Sequence, residues 1–339
     1  MAVRVYLKQA WNLMKQNPLF STLYIVGTGI SIVMTMVIAI VYYVRLAPVY
    51  PETNRMRTLV VKSAKMTNDE STHSANISYA MLKDWFYSLE SAEVSTGVSG
   101  TSYARVTNDK EEIPTYARYT DENFFRVFPL VFLEGKPFTE ADRRSGIHNV
   151  VLTDSYAQQL FGTTKGVVGK NFLMDYTNVK VVGVVKSGSF LTPDSYAQVY
   201  LPYSCRDGYD DEGSHWALGG YRVYILMKES KSVTDVQDEV LELVRKFNVS
   251  DMGDGWKLDL VGQPELYWHS TFRLWSNVAV DWGRVIWMFV GIFMVLLFVP
   301  AFNLSGMISA RMERQLPDLG IRKAFGASRR RLLLSLIHI

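Results

Sequence analysis

The sequence predicts an α-helical membrane protein with an α+β extracytoplasmic domain between its first two spans. Two stretches, residues 19–44 and 285–307, contain no charged side chain, and each exceeds the roughly 20 apolar residues that cross a bilayer core. Residues 45–284 alternate strand-like and helix-like segments, and 240 residues are many for one core, so we expect two lobes. The single cysteine among 339 residues excludes a disulfide scaffold.

The distribution of charge predicts an orientation. Residues 1–18 carry three basic and no acidic side chains, and residues 308–339 carry seven basic and two acidic ones. Residues 45–284 hold 26 basic and 31 acidic side chains. Since basic residues concentrate on the cytoplasmic side, both ends are predicted to be cytoplasmic and the middle to be exported.

The N-terminal segment, residues 1–18, has the spacing of an amphipathic helix that bends at Pro18. Such a helix lies on the anionic inner leaflet or simply extends the first span into the cytoplasm, and both interpretations stay open. A cleaved signal peptide is the alternative for residues 19–44. This apolar run exceeds the usual 7–15 residues and no small-x-small cleavage site follows it, which favours a retained span.

Small residues repeat along one face of the first span. Gly27, Ser31 and Thr35 are four positions apart, so they share a face of a helix. Small side chains let helix backbones approach closely in lipid, and we therefore predict that this face packs against another helix.

The exported region contains β-rich and helical segments in mixed order. Thr153 or Asp154 is a suitable N-cap for one helix, and Gly162 is a suitable residue for its end. Strands are predicted at 59–62, 150–152, 179–186, 198–201 and 221–227, and helices at 79–89, 154–161 and 233–247.

Pro300 lies within the second span, 285–307, where it either kinks the helix or is accommodated by its neighbours. Residues 308–331 then form the predicted cytoplasmic region, and Ser328 is a suitable cap for a further helix. Residues 332–339 resemble the start of a third span that is cut short.

Within the cytoplasmic region, Pro317 is predicted to start a short helix of two to three turns, which Gly326 ends. Ile321 and Phe325 share one side of it, next to two cations. This helix either docks into a groove of a partner or rests on lipid headgroups. Its residues are Pro317, Asp318, Leu319, Gly320, Ile321, Arg322, Lys323, Ala324, Phe325 and Gly326.

The sequence predicts no catalytic, cofactor-binding or metal site. Residues 166–171 lack the first glycine and the final hydroxyl of a phosphate-binding loop. The five histidines are scattered without metal-ligand spacing, and Cys205 has no cysteine to pair with. The excess of acidic residues in the exported region argues against nucleic acid as a partner.

Several segments resemble a known family in order along the chain. The exported ones are similar to the periplasmic core domain of MacB-type ABC transporter permeases, and the cytoplasmic one resembles the signature after the second span of FtsX-like permease domains. The exported segments are 123–130, 133–138, 150–157, 160–162, 166–170 and 181–185, and the cytoplasmic segment is 320–328.

The resemblance implies a permease subunit of the bacterial inner membrane, without its own ATPase site, that pairs with a separate ATP-hydrolysing subunit. It implies that Pro317–Gly326 couples to that ATPase, whose closure moves the spans and the exported domain. It also implies a permease dimer or pseudo-dimer, and it leaves open partners in the periplasm or outer membrane. The family usually has four spans and a glutamate where this chain has Asp318.

The alternative function is a membrane-anchored extracytoplasmic sensor.

Overall fold

The computed structural model describes residues 15, 18–100, 102–108, 111–210, 216–250 and 255–328. Two long helices, the first and the last, lie outside the α+β region. The α-helices are α1 (Pro18–Leu46), α2 (Tyr79–Asp84), α3 (Phe124–Val127), α4 (Glu140–Arg144), α5 (Asp154–Phe161), α6 (Val233–Val249) and α7 (Trp282–Ala324). Single turns of 3-10 helix occur at Phe86–Ser88, Tyr203–Cys205 and His269–Phe272.

The chain divides into two units, residues 41–281 and residues 1–40 with 282–339. The first unit, which we call the domain, contains two β-sheets. Its strands are β1 (Thr58–Val61), β2 (Ala64–Thr67), β3 (Thr72–Ile77), β4 (Ala92–Ser99), β5 (Ser102–Asn108), β6 (Glu111–Thr120), β7 (Phe132–Gly135), β8 (Asn149–Thr153), β9 (Asn171–Met174), β10 (Thr177–Val185), β11 (Val199–Pro202), β12 (Leu218–Gly219), β13 (Tyr221–Met227), β14 (Lys257–Asp259) and β15 (Glu265–Leu266).

The first sheet has the order β14-β2-β3-β13-β1-β15, with β12 on β3 and β4 on β13. Its pairings are antiparallel. The second sheet has the order β7-β10-β8-β11-β6-β5-β9, and β9 also pairs with β10. Two of its pairings, β8 with β10 and β6 with β11, are parallel. Mixed pairing with short helices is the α+β architecture that the sequence predicts.

Hydrophobic packing joins the two sheets. One cluster lies beneath the first sheet with α2 and α6, and another lies beneath the second sheet with α5. A third cluster takes Val60 and Tyr224 from the first sheet, Val151 and Tyr200 from the second, and Phe124 from α3. The two expected lobes are therefore two sheets that share a buried cluster within one unit.

The predicted strands of the domain are confirmed as β1, β8, β10, β11 and β13, with small shifts at their ends. Helix α5 covers the predicted residues, with Thr153 at its N-cap and Gly162 at its end with φ +71°. Asp235 and Ser232 form a capping box that starts α6. The predicted helix 79–89 divides into α2 and a 3-10 turn.

Helix α1 is apolar, and its segment Ile25–Leu46 is long enough to cross a membrane. Little of this segment is buried within the protein, unlike the core helix of a soluble fold. Helix α7 begins with a shorter apolar segment, Trp282–Phe298.

Helix α7 is continuous for 43 residues through Pro300 and Pro317. The expectation that a separate short helix starts at Pro317 is therefore wrong. Proline has a helical φ, so a long helix tolerates it by giving up one hydrogen bond, and the pattern of a helix start fits an interior proline equally well. The predicted amphipathic helix before Pro18 and the segment 332–339 fall outside the described residues apart from Lys15.

Candidate functional site

A buried ion pair lies just after α1. Arg55 and Glu52 form it, and both side chains are almost fully buried. Arg55 Nη1 also donates to the carbonyl oxygen of Val44 at 3.0 Å. The last carbonyls of a helix have no partner within the helix and carry partial negative charge, so a cation stabilises them. The Tyr42 ring stacks on Phe272 with 6.4 Å between centroids, which gives the end of α1 a second attachment.

The carboxylate of Glu52 collects donors from distant parts of the chain. It accepts from Ser195 Oγ at 2.7 Å and from the Tyr267 hydroxyl at 2.9 Å. The Arg55 guanidinium also lies 5.1 Å from the centre of the Tyr267 ring. Burial raises the pKa of Glu52 above its ordinary value, against the opposing effect of Arg55. We call Val44, Glu52, Arg55, Ser195 and Tyr267 the connector junction.

A second buried carboxylate lies next to the connector junction in the chain. Asp194 accepts from Lys62 Nζ at 3.0 Å and from Arg222 Nη1 at 3.2 Å. Burial opposes its ionisation, but the two cations outweigh burial and hold the pKa of Asp194 below its ordinary value. Lys62 directly follows β1 and Arg222 lies in β13, both of the first sheet, whereas Asp194 lies in the loop between β10 and β11 of the second. This loop therefore joins both sheets to the connector junction.

The segment that leads out of the domain is also fixed by buried polar groups. The Gln263 side chain donates to the carbonyl oxygen of Ser63 at 3.0 Å, and Ser63 Oγ donates to that of Ser276 at 2.6 Å. Arg273 forms a buried ion pair with Glu265. The entry and exit segments of the domain are thus both bonded to its core.

A carboxyl group also links the two sheets away from the connector junction. Asp121, at the end of β6, accepts from Tyr87 Oη at 2.6 Å, Thr96 Oγ1 at 2.7 Å and the Gly97 amide at 2.8 Å. The Asn123 amide donates to it at 2.9 Å. Complete burial raises the pKa of Asp121 to about 6, despite these donors. Asp121 therefore exchanges its proton at about pH 6, well above the pH at which an exposed aspartate does so.

The predicted coupling residues lie in the last turns of α7 and just after it. The helix ends at Ala324, and Gly326 has φ +85°, as predicted for its C-terminal stop. The Phe325 amide donates to the carbonyl oxygen of Ile321 at 3.1 Å. Ile321 is exposed, and Phe325 is 88% exposed. Two apolar side chains four positions apart are thus open to solvent at this end of α7.

The small residues of α1 form hydrogen bonds within the helix. Ser31 Oγ donates to the carbonyl oxygen of Gly27 at 2.9 Å, and Thr35 Oγ1 donates to that of Ser31 at 2.7 Å. Ser31 is buried, whereas Thr35 is exposed. Both hydroxyls are therefore satisfied without a partner helix, and the packing role of this face stays a prediction.

The sequence did not reveal the connector junction. Glu52 and Arg55 have the i, i+3 spacing of an ordinary surface pair, and Asp194 lies in a polar loop. Their burial depends on contacts across more than 130 residues, such as the one between Glu52 and Ser195. The one usable signal is a charged pair placed eight and eleven positions after the end of an apolar run.

The profile of the MacB-like periplasmic core domain family matches residues 20–243. The macrolide export ATP-binding/permease protein MacB of Escherichia coli O157:H7 is 20% identical over 224 residues, which are 66% of this chain and 32% of that protein. The pyoverdine export ATP-binding/permease protein PvdT of Pseudomonas fluorescens (strain Pf0-1) is 32% identical over 92 residues, which are 26% of this chain and 14% of that protein.

Solved structures are similar to part of the chain. The periplasmic region of MacB from Actinobacillus actinomycetemcomitans gives a TM-score of 0.42 at 16% identity and covers 58% of this chain and 88% of that structure. The extracellular domain of the ABC-type transporter YknZ from Gram-positive bacteria gives a TM-score of 0.40 at 16% identity and covers 58% of this chain and 99% of that structure.

The fold defines an α+β domain that follows a candidate membrane helix in the chain. The chain belongs to the MacB-like periplasmic core domain family, because the family profile covers about two thirds of its residues. The chain spans less than a third of the length of the two curated relatives described above.

Proposed function

We propose that the chain is a permease subunit of an ABC-type exporter or mechanotransmission complex in the bacterial inner membrane. In this proposal α1 and α7 cross the membrane, the domain lies in the periplasm, and a separate cytoplasmic ATPase supplies the energy. The observation that best supports this proposal is the connector junction, in which Arg55 donates to the carbonyl oxygen of Val44 at the end of α1 and pairs with the buried Glu52. In this proposal a movement of the end of α1 is passed to the domain, because the carbonyl oxygen of Val44 at that end accepts a hydrogen bond from Arg55.

The energetics of the connector junction support this role. Removing one partner of a buried ion pair costs about 3–5 kcal/mol, since the other charge is left uncompensated. The Glu52 carboxylate holds Arg55, Ser195 and Tyr267 at once. An applied displacement therefore moves these groups together before it separates them.

The exposed end of α7 supports coupling to the ATPase. Ile321 and Phe325 present apolar surface to solvent, and such a pair suits a hydrophobic groove on a partner. We propose that Pro317–Gly326 enters that groove, although it continues α7 instead of forming a separate helix. The subunit then works as a dimer or pseudo-dimer around two ATPase copies, in the export or extraction of a substrate.

The coupling proposal is tested with the double variant Ile321→Ala/Phe325→Ala in the full chain. The matched control is Leu316→Ala, because Leu316 is 60% exposed and lies about 180° around the helix from Phe325. The double variant is expected to lose co-purification with the ATPase subunit and its stimulation, with membrane insertion retained, while the control keeps both. Equal ATPase binding by both variants would overturn the docking role.

The orientation is tested separately with a cysteine reporter at residue 100 in a Cys205→Ser background. A membrane-impermeant thiol reagent is expected to label it from the periplasmic side. Protection from outside, with labelling only after lysis, would contradict the orientation. A sensor, the alternative function, would retain the periplasmic labelling and show no ATPase partner in the preceding experiment.

A further inference from the structure

A short loop of the domain presents apolar side chains to the outside. In the 274–278 loop Leu274 is 61% exposed, Trp275 is 66% exposed and Val278 is also exposed. Single exposed apolar residues are common on protein surfaces. Three within five residues, in a stretch that has no charged side chain from 274 to 280, indicate an interaction surface.

The backbone of this loop is held in place. Arg273 Nη1 donates to the carbonyl oxygen of Val278 at 2.7 Å, and Ser63 Oγ donates to that of Ser276 at 2.6 Å. The Val278 amide donates to the carbonyl oxygen of Trp275 at 3.2 Å, which closes a turn. The apolar side chains are therefore presented by a fixed backbone, so little conformational entropy is lost when they bind.

The position of the loop points to its partner. Phe272, which precedes the loop, stacks on Tyr42 in the last turns of the candidate span Ile25–Leu46. After the loop, α7 starts at Trp282, only seven residues beyond Trp275. The loop is thus attached at one end to α1 and at the other end to the apolar start of α7.

We infer that Leu274, Trp275 and Val278 insert into the outer leaflet of the lipid bilayer, at the boundary between headgroups and acyl chains. This inference rests on the proposed function, which places α1 across the membrane. Tryptophan prefers this boundary, and leucine and valine gain free energy from leaving water. The anchor seats the base of the domain on the membrane and gives it a fixed point beside the end of α1.

The inference is tested in the full chain, reconstituted into vesicles of phosphatidylethanolamine and phosphatidylglycerol. In a Cys205→Ser background, Val278→Cys carries an environment-sensitive fluorophore and leaves Trp275 intact. Its quenching by lipids with a nitroxide near the headgroup is compared with that of the same fluorophore at Tyr176→Cys. Tyr176 is 84% exposed and lies in the turn just before β10, whereas Lys186, whose carbonyl oxygen accepts from Tyr50, lies just after that strand, about 30 Å away along it.

A third position, Met34→Cys, lies on the exposed surface of the candidate span near its middle, so its quenching is measured with lipids that carry the nitroxide deep in the acyl chain. We expect lipid quenching at Val278→Cys to be at least about twofold greater than at Tyr176→Cys. We also expect Leu274→Asn/Trp275→Asn to bring it down to the Tyr176→Cys level. Quenching at Met34→Cys with none at Val278→Cys would overturn the anchor alone, and no quenching at Met34→Cys would overturn both the membrane span and the anchor. Cross-linking between two copies at Val278→Cys without lipid quenching would assign the surface to a second subunit and overturn the anchor.

Discussion

Arg55 donates to the carbonyl oxygen of Val44 at 3.0 Å while it pairs with the buried carboxylate of Glu52. One guanidinium therefore stabilises the end of a helix and neutralises a buried charge, which lysine, as a point charge, could not do with the same geometry. Arg55 lies eleven positions after Val44, so the segment between them is closed into a loop by this hydrogen bond. The first prediction follows from this double role.

Arg55→Met is expected to lower the free energy of unfolding by about 3–5 kcal/mol, because Glu52 is left buried without its cation. Glu52→Gln/Arg55→Met is expected to cost less than this single change. Denaturant unfolding of the full chain in detergent, followed by tryptophan fluorescence, measures both. The control Arg245→Ala removes an exposed pair with Glu242 and is expected to change little. Equal losses for Arg55→Met and the double variant would contradict the charge argument.

Asp194 is expected to make stability fall in acid. Lys62 and Arg222 overcome the effect of burial and hold the pKa of Asp194 below its ordinary value of 3.8. As the pH falls, the unfolded chain therefore takes up the proton before the folded protein does. The stabilisation from Asp194 is complete above pH 3.8 and is lost as the pH falls from there through the lower pKa of the folded state. Asp194→Asn should make the free energy of unfolding depend less on pH between about pH 5 and pH 3, because the titrating group is removed. Parallel curves for the two proteins would refute the assignment.

Asp121 is expected to act in the opposite direction. Its burial raises the pKa to about 6 from 3.8, so the folded protein binds the proton more tightly than the unfolded chain. The contribution of this group is full below pH 3.8 and is lost as the pH rises through about 6. Relative to Asp121→Asn, the wild type should lose on the order of 1–3 kcal/mol over this range. A constant difference between the two proteins from pH 4 to about 7 would exclude the proposed titration.

Substitution by alanine is expected to destabilise the protein far more at Gly135 than at Gly146, although both glycines have positive φ. A Cβ at Gly135 would lie 2.1 Å from the carbonyl oxygen of Val182, which belongs to the paired strand β10, whereas a Cβ at Gly146 would meet open space. Gly146→Ala therefore carries only the left-handed backbone penalty of about 1 kcal/mol. Gly135→Ala is expected to cost about 3 kcal/mol or more, because the strand must move. The thermal unfolding midpoints of both variants measure the contrast, and equal shifts would show that the sheet yields easily.

The local elements of the domain could be predicted from the sequence because their signals are local. Helix α5 is the clearest case, since Thr153 precedes it and Gly162 supplies the left-handed stop. The strands β8 and β10 are rich in β-branched residues and β13 combines β-branched with aromatic residues, and both types favour a buried pleated surface. The predicted start of the coupling helix was wrong for a physical reason, because an interior proline and a first-turn proline give the same sequence pattern.

The connector junction could not be predicted, since its residues meet only in the fold. Glu52 reaches Ser195 and Tyr267, which lie 143 and 215 positions further along the chain. Charged residues are normally exposed, so apart from the position of Glu52 shortly after the apolar run, the sequence does not separate Glu52 and Asp194 from the surface carboxylates around them. The strand order that brings these loops together is a property of the two sheets and not of any one segment.

The unbroken course of α7 has a mechanical consequence. Its 43 residues correspond to about 65 Å, so a tilt of about 5° around one end displaces the other by about 6 Å. If the helix were interrupted at Pro317, the part after the break could rotate independently, and the displacement would not be transmitted to the end. The uninterrupted course of the helix from Trp282 to Ala324 instead makes the displacement at Ala324 proportional to the rotation at Trp282, so small angular changes at one end become ångström-scale travel at the other.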